Sequence, residues 1–74
     1  MRQKIITILQ ELRPELDFSV ITELDEYLDS FDVVMLTVEL EKEFKIKIDG
    51  IDIRKETYTS IDSIIKLINE SKVS

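Results

Sequence analysis

The sequence predicts an all-α fold, and three observations carry that expectation. The chain has 74 residues but a single Gly and a single Pro, which does not suit a sheet built on tight turns. Apolar residues recur at helical spacing in three separate segments. The length allows one domain, expected to span residues 1–74. The expected architecture is a small four-helix bundle, with three main helices, one short helix and a long loop between the first two.

Ile5, Ile8, Leu9 and Leu12 share one helix face, which predicts an amphipathic helix over residues 3–13. Pro14 disfavours helical geometry at Arg13 and ends it. The basic start and short apolar run of this helix do not make a signal peptide, because no small-residue cleavage site follows. Residues 14–29 show no clean period. Phe18, Val20, Ile21, Leu24, Tyr27 and Leu28 are expected to pin this loop to the core. A loop this long in so small a domain is either disordered or functional, and its apolar content argues against disorder.

The second helix is predicted from Ser30 to about Phe44, capped by Asp29 or Ser30. Asp32 lies in its first turn, where the helix dipole favours an anion. Its apolar residues form two stripes. Val33, Leu36, Leu40 and Phe44, with Thr37 beside them, are assigned to the core. Phe31, Val34, Met35 and Val38 form the other stripe, at i, i+3, i+4 and i+7. So short a chain has too few partners to bury both, so the second stripe is expected to be partly exposed. Asp32, Glu39 and Glu43 line one edge between the stripes, and Glu41 the other.

Ile46 and Ile48 alternate with Lys45 and Lys47 in an extended stretch that ends at Asp49-Gly50, a turn signal. One short helical turn is expected within Ile51–Tyr58. Thr59 or Ser60 then caps a last helix with Asp62 in its first turn. Ile61, Ile64, Ile65 and Ile68 are its expected core stripe.

The composition excludes most chemistry. There is no Cys and no His, hence no thiolate nucleophile, no cysteine zinc site and no imidazole base. One Gly cannot build a phosphate-cradling loop, and the calcium pattern D-x-D-x-D-G is absent. No metal site and no catalytic residues are expected. A formal charge of −6 disfavours nucleic acid and anionic membrane and favours basic protein surfaces. No apolar run approaches the roughly 20 residues of a membrane span. The chain is expected to be a cytoplasmic monomer. Residues 17–43 hold nine acids against Lys42 alone, a one-sidedness that costs self-repulsion and suggests a use.

One constellation remains: Leu28-Asp29-Ser30-Phe31-Asp32, between the long loop and the acidic helix. Capping alone would explain Asp29 and Ser30. The same place also offers an exposed hydroxyl at a helix N-terminus, where backbone N–H groups favour a phosphate.

Asp29-Ser30-Phe31-Asp32-Val33-Val34, followed by Leu36, Leu40-Glu41, Glu43 and Phe44, resembles the acyl carrier protein family along essentially the whole chain. The resemblance implies covalent 4′-phosphopantetheine on Ser30 and no intrinsic catalysis. The cofactor would bring the thiol that the chain lacks. It also implies an acyl or aminoacyl group held as a thioester and delivered to partner enzymes. The implied partners are a phosphopantetheinyl transferase, an acyl- or aminoacyl-activating ligase, and acyltransferase or synthase enzymes with basic surfaces. Asp29, Phe31, Asp32, Val34, Met35, Val38, Glu39 and Glu41 would dock them.

Phe31 follows the serine where fatty-acid carriers usually have Leu; D-S-F is familiar from freestanding D-alanyl and aminoacyl carriers. Met35 and Lys42 replace acids common in the fatty-acid carriers. These departures point to an aminoacyl or specialised acyl cargo, for a cell-surface polymer or a secondary metabolite. The competing reading is a noncovalent helical adaptor in which Ser30 is only a cap.

Overall fold

The computed structural model describes residues 1–71. Its helices are α1 (Arg2–Leu12), α2 (Ser30–Phe44) and α3 (Ile61–Ser71). Among the described residues no strand forms. The expected short helix is replaced by two separate 3-10 turns, Gly50–Asp52 and Lys55–Thr57, and a third such turn, Leu24–Glu26, lies in the long loop. The 49–58 stretch has no sustained apolar period, so nothing holds it in a longer helix.

α1 packs against both α2 and α3. Ile5 and Leu9 of α1, Val33, Leu36 and Leu40 of α2, and Ile61, Ile64, Leu67 and Ile68 of α3 are buried in one core. Three corrections to the expected core follow. Ile65 packs only at the margin, and Leu67 takes its place inside. Phe44 is half-buried at the end of α2 rather than fully enclosed. Tyr58 is wholly buried. Thr37 Oγ donates to Val33 O at 2.8 Å, so its one proton is used. Tyr58 therefore donates to Thr37 Oγ, at 2.6 Å, and no polar atom in this part of the core is orphaned. Burial pushes the Tyr58 hydroxyl pKa up, which the Thr37 bond partly offsets.

The long loop is held at several points. Phe18, Leu24 and Leu28 are buried and Ile21 half-buried, whereas Val20 and Tyr27 lie exposed, against expectation. Gln10 on α1 clasps the loop: its Nε2 donates to Leu16 O and Pro14 O, and its Oε1 accepts the Phe18 N–H. Leu24 N–H donates to Thr59 O at 2.9 Å, tying the loop to the entrance of α3. There Ser60 Oγ accepts the Ser63 N–H at 3.1 Å, so Ser60 is the cap.

α2 ends at Lys45, which adopts the left-handed conformation at φ 54°. A residue with a Cβ is disfavoured there by about 1–2 kcal/mol. Ile46 and Ile48 then turn inward between exposed lysines, as their alternation predicts. Glu41 Oε2 accepts the Ile48 N–H at 2.9 Å and fixes this extended stretch to α2.

Candidate functional site: the entrance of α2

Asp29 is the N-cap of α2, with extended backbone angles. Its Oδ1 accepts the Asp32 N–H at 2.8 Å, while Asp32 Oδ2 accepts the Asp29 N–H at 3.1 Å. This reciprocal box satisfies donors that a helix start otherwise leaves unpaired. The Asp32 N–H chiefly, with the charge of Arg13 adding, holds the Asp29 carboxyl below the usual carboxylate range.

The box is locked from outside by Arg13, the residue that Pro14 keeps out of α1. Arg13 Nη1 donates to Asp32 Oδ2 at 2.7 Å and to Tyr27 O at 3.1 Å, and its Nε donates to Glu15 Oε2 at 2.7 Å. One guanidinium thus joins the end of α1, the end of the loop and the first turn of α2. The Asp32 side chain is only 9% exposed. Asp32 was expected on the docking edge with Glu39 and Glu43. It instead faces inward, because the cap and Arg13 both demand its carboxylate, and it leaves the docking set. Glu41 is half-buried and committed to Ile48 N–H, so its carboxylate is also largely structural.

Between these anchors sits Ser30, the first residue of α2. It is exposed, and Asp29 rather than Ser30 supplies the cap. Among the described residues no hydrogen bond engages the Ser30 hydroxyl. Beside it opens a groove of about 300 Å³, with Ser30, Val33 and Val34 on one wall and Ile53, Arg54, Lys55 and Glu56 on the other. Phe31 is 71% exposed, Val34 51%, Val38 41% and Met35 37%. Asp29 is exposed, and Glu39 is half-exposed and lies 3.9 Å from Lys42. The apolar stripe therefore meets solvent with Asp29 and Glu39 near its ends.

Sequence reasoning missed Arg13 and the Arg54–Lys55 wall. The spacing of Asp29 and Asp32 could have revealed the box, since acids at N-cap and N3 satisfy each other's backbone.

The lowered pKa of Asp29 has a measurable consequence. A depressed carboxyl contributes stability that is present above its unfolded value, about 3.9, and is lost as pH falls through the lower folded value. Asn caps as well as Asp but does not titrate there. The acid limb of a melting-temperature profile, below about pH 4, is expected to be shallower in Asp29→Asn than in wild type. Identical limbs would remove Asp29 from the acid response.

Comparison with curated proteins and with solved structures gave no match. The family described as the phosphopantetheine attachment site does match, over residues 3–68. The chain therefore belongs to that family and is a carrier protein of the acyl carrier type, whose cofactor is covalently bound 4′-phosphopantetheine.

Proposed function

We propose that Ser30 is the attachment residue and that the chain carries an acyl or aminoacyl group between partner enzymes. The observation that carries this reading is the exposed, unbonded hydroxyl at the first turn of α2, beside an open groove. The residues present fit the cofactor: a phosphodiester on Ser30 would meet open space, apolar Val33, Val34 and Ile53, and two cations. When bound, the group supplies a terminal thiol that takes the cargo as a thioester.

The chain's own part in attachment is limited. Ser30 Oγ is presented as a nucleophile at a rigid helix start. Among the described residues its proton has no good acceptor. Asp32 is turned into Arg13, and Asp29 is a weak base because its pKa is depressed. The base therefore belongs to the phosphopantetheinyl transferase.

Docking is assigned to Phe31, Val34, Met35 and Val38, flanked by Asp29 and Glu39, against basic surfaces of the transferase, an activating ligase and an acyltransferase or synthase. The apolar centre gives contact area and the acids speed encounter. Phe31, Met35 and Lys42 favour an aminoacyl or specialised acyl cargo over the fatty-acid set. Among the described residues no helix is long and apolar enough to cross a membrane. We assign the chain to the cytoplasm, where the thiol of the arm stays reduced.

The test is coexpression with a phosphopantetheinyl transferase. Wild type gains one phosphopantetheine; Ser30→Ala gains none and melts within about 0.5 kcal/mol of wild type, as surface substitutions usually do. Modification of the variant at Ser60 or Ser63 would defeat the assignment, and an unmodified wild type would favour the noncovalent adaptor.

A further expectation concerns salt. Modification by the transferase is expected to slow as ionic strength rises, since exposed charges are screened over about 8 Å at physiological salt. Asp29→Asn and Glu39→Gln should each slow it at low salt and converge with wild type at high salt. A salt-independent rate, equal in all three proteins, would remove electrostatics from docking.

A further inference from the structure

The groove beside Ser30 sets the start of an acidic helix against a wall that carries Arg54 and Lys55. Ser30 lies in the most acidic part of the chain, where nine acids oppose one lysine. A phosphodiester there adds another negative charge next to Asp29. Asp32 is already neutralised by Arg13, so it adds little repulsion, but apart from the helix N-terminus itself nothing on α2 near Ser30 offsets the new charge. The facing wall does. Arg54 and Lys55 are exposed, and among the described residues neither has a carboxylate partner. Arg2, Lys4, Arg13 and Lys42 have one, and Lys45, Lys47 and Lys66, which also lack one among the described residues, do not line the groove. With Glu56 this wall carries one net positive charge, matching the single negative charge of a phosphodiester. Between the walls, Val33, Val34 and Ile53 give apolar surface for the carbon skeleton next to the phosphate.

The geometry points to Arg54 and Lys55 as the binding site for the phosphodiester on Ser30, so that attachment closes the groove between α2 and the Lys55–Thr57 turn. This inference rests on attachment at Ser30. It assigns the two cations to the chain's own cofactor rather than to a partner. Charge-assisted bonds from a guanidinium and an ammonium suit a phosphate oxygen. The Lys55–Thr57 turn is held by only two i→i+3 backbone bonds, from the Thr57 N–H to Arg54 O and from the Tyr58 N–H to Lys55 O, and has no buried residue, so a new contact would register in its local stability.

The test compares apo protein with protein loaded by a phosphopantetheinyl transferase, with the mass gain on Ser30 checked first. Backbone amides are then followed by NMR shift and hydrogen exchange. On loading, the amides of residues 53–56 are expected to shift and to exchange about two- to thirtyfold more slowly, which is what two exposed ion contacts allow. The effect should fade near 1 M salt, where the Debye length is about 3 Å. Arg54→Gln combined with Lys55→Gln should lose the response at 53–56 and keep the one at 29–33. Lys45→Gln with Lys47→Gln, equal in charge removed, should keep both. The single variants Arg54→Gln and Lys55→Gln report the same loss in part if the double variant is unstable. A response confined to 29–33, or one that survives in the Arg54/Lys55 variant, overturns the inference. A missing mass gain on Ser30 is a different failure: it overturns the attachment reading and takes this inference with it.

Discussion

Leu40→Ala is expected to unfold a large share of the protein at room temperature. Leu40 is wholly buried where α2 faces the core, and deleting such a side chain costs about 2–5 kcal/mol through lost transfer energy and the cavity left behind. A domain of this size has only about 3–5 kcal/mol in hand. Leu36→Ala, equally enclosed, should behave the same way. Val34→Ala and Met35→Ala remove comparable apolar surface from the opposite stripe, which is 51% and 37% exposed at these positions. They should change stability by about 0.5 kcal/mol or less and instead slow loading by partner enzymes. Thermal melts beside loading rates separate the two stripes. Equal destabilisation in all four variants would show that α2 is buried on every side.

The second large effect is expected at Arg13. Its guanidinium holds Asp32, Tyr27 O and Glu15 together, and Asp32 in turn completes the cap that sets the start of α2. Arg13→Ala leaves the Asp32 carboxylate buried without its partner, the costly way to break an ion pair. The entrance of α2 should shift or fray, and modification of Ser30 should slow by up to about 100-fold, the scale that a displacement of about 1 Å carries in a transfer reaction. Arg13→Lys keeps the charge but not the fork, so it should recover only part of the rate. Asp32→Asn with Arg13→Ala should be less damaging than Arg13→Ala alone, because the uncompensated charge is gone. If Arg13→Ala melts and is modified like wild type, the clasp does not position the serine.

The helices were legible because each carries its own period. Ile5 and Leu9, Leu36 and Leu40, and Ile64 and Ile68 mark their buried faces with no knowledge of what they face. The place of Ser30 at the mouth of α2 was legible in the helix-start signals around it, and its proposed role came from the resemblance of Asp29-Ser30-Phe31-Asp32 to the acyl carrier protein family rather than from elimination.

What was not legible depends on long-range partners. On a helical wheel Asp32 looks like Glu39 and Glu43, and it turns inward because it completes the capping box with Asp29 and meets Arg13, which arrives from the end of α1. Ile65 and Leu67 flank the Ile61, Ile64 and Ile68 stripe on opposite sides of α3, and which flank is buried depends on how α3 meets α1. Lys45 takes a left-handed conformation that Gly or Asn would normally announce. The groove with Arg54 and Lys55 joins residues more than twenty positions from Ser30, and the two 3-10 turns that bring them there leave no periodic trace.

The central claim is that Ser30 carries the cofactor, and site-resolved mass spectrometry of the wild-type chain tests it most directly. After incubation with coenzyme A and a phosphopantetheinyl transferase, the intact mass should rise by one phosphopantetheine, and fragmentation should place it on Ser30. An added group on Ser19, Ser60 or Ser63, or no added group while a known carrier is fully converted in the same mixture, would contradict it.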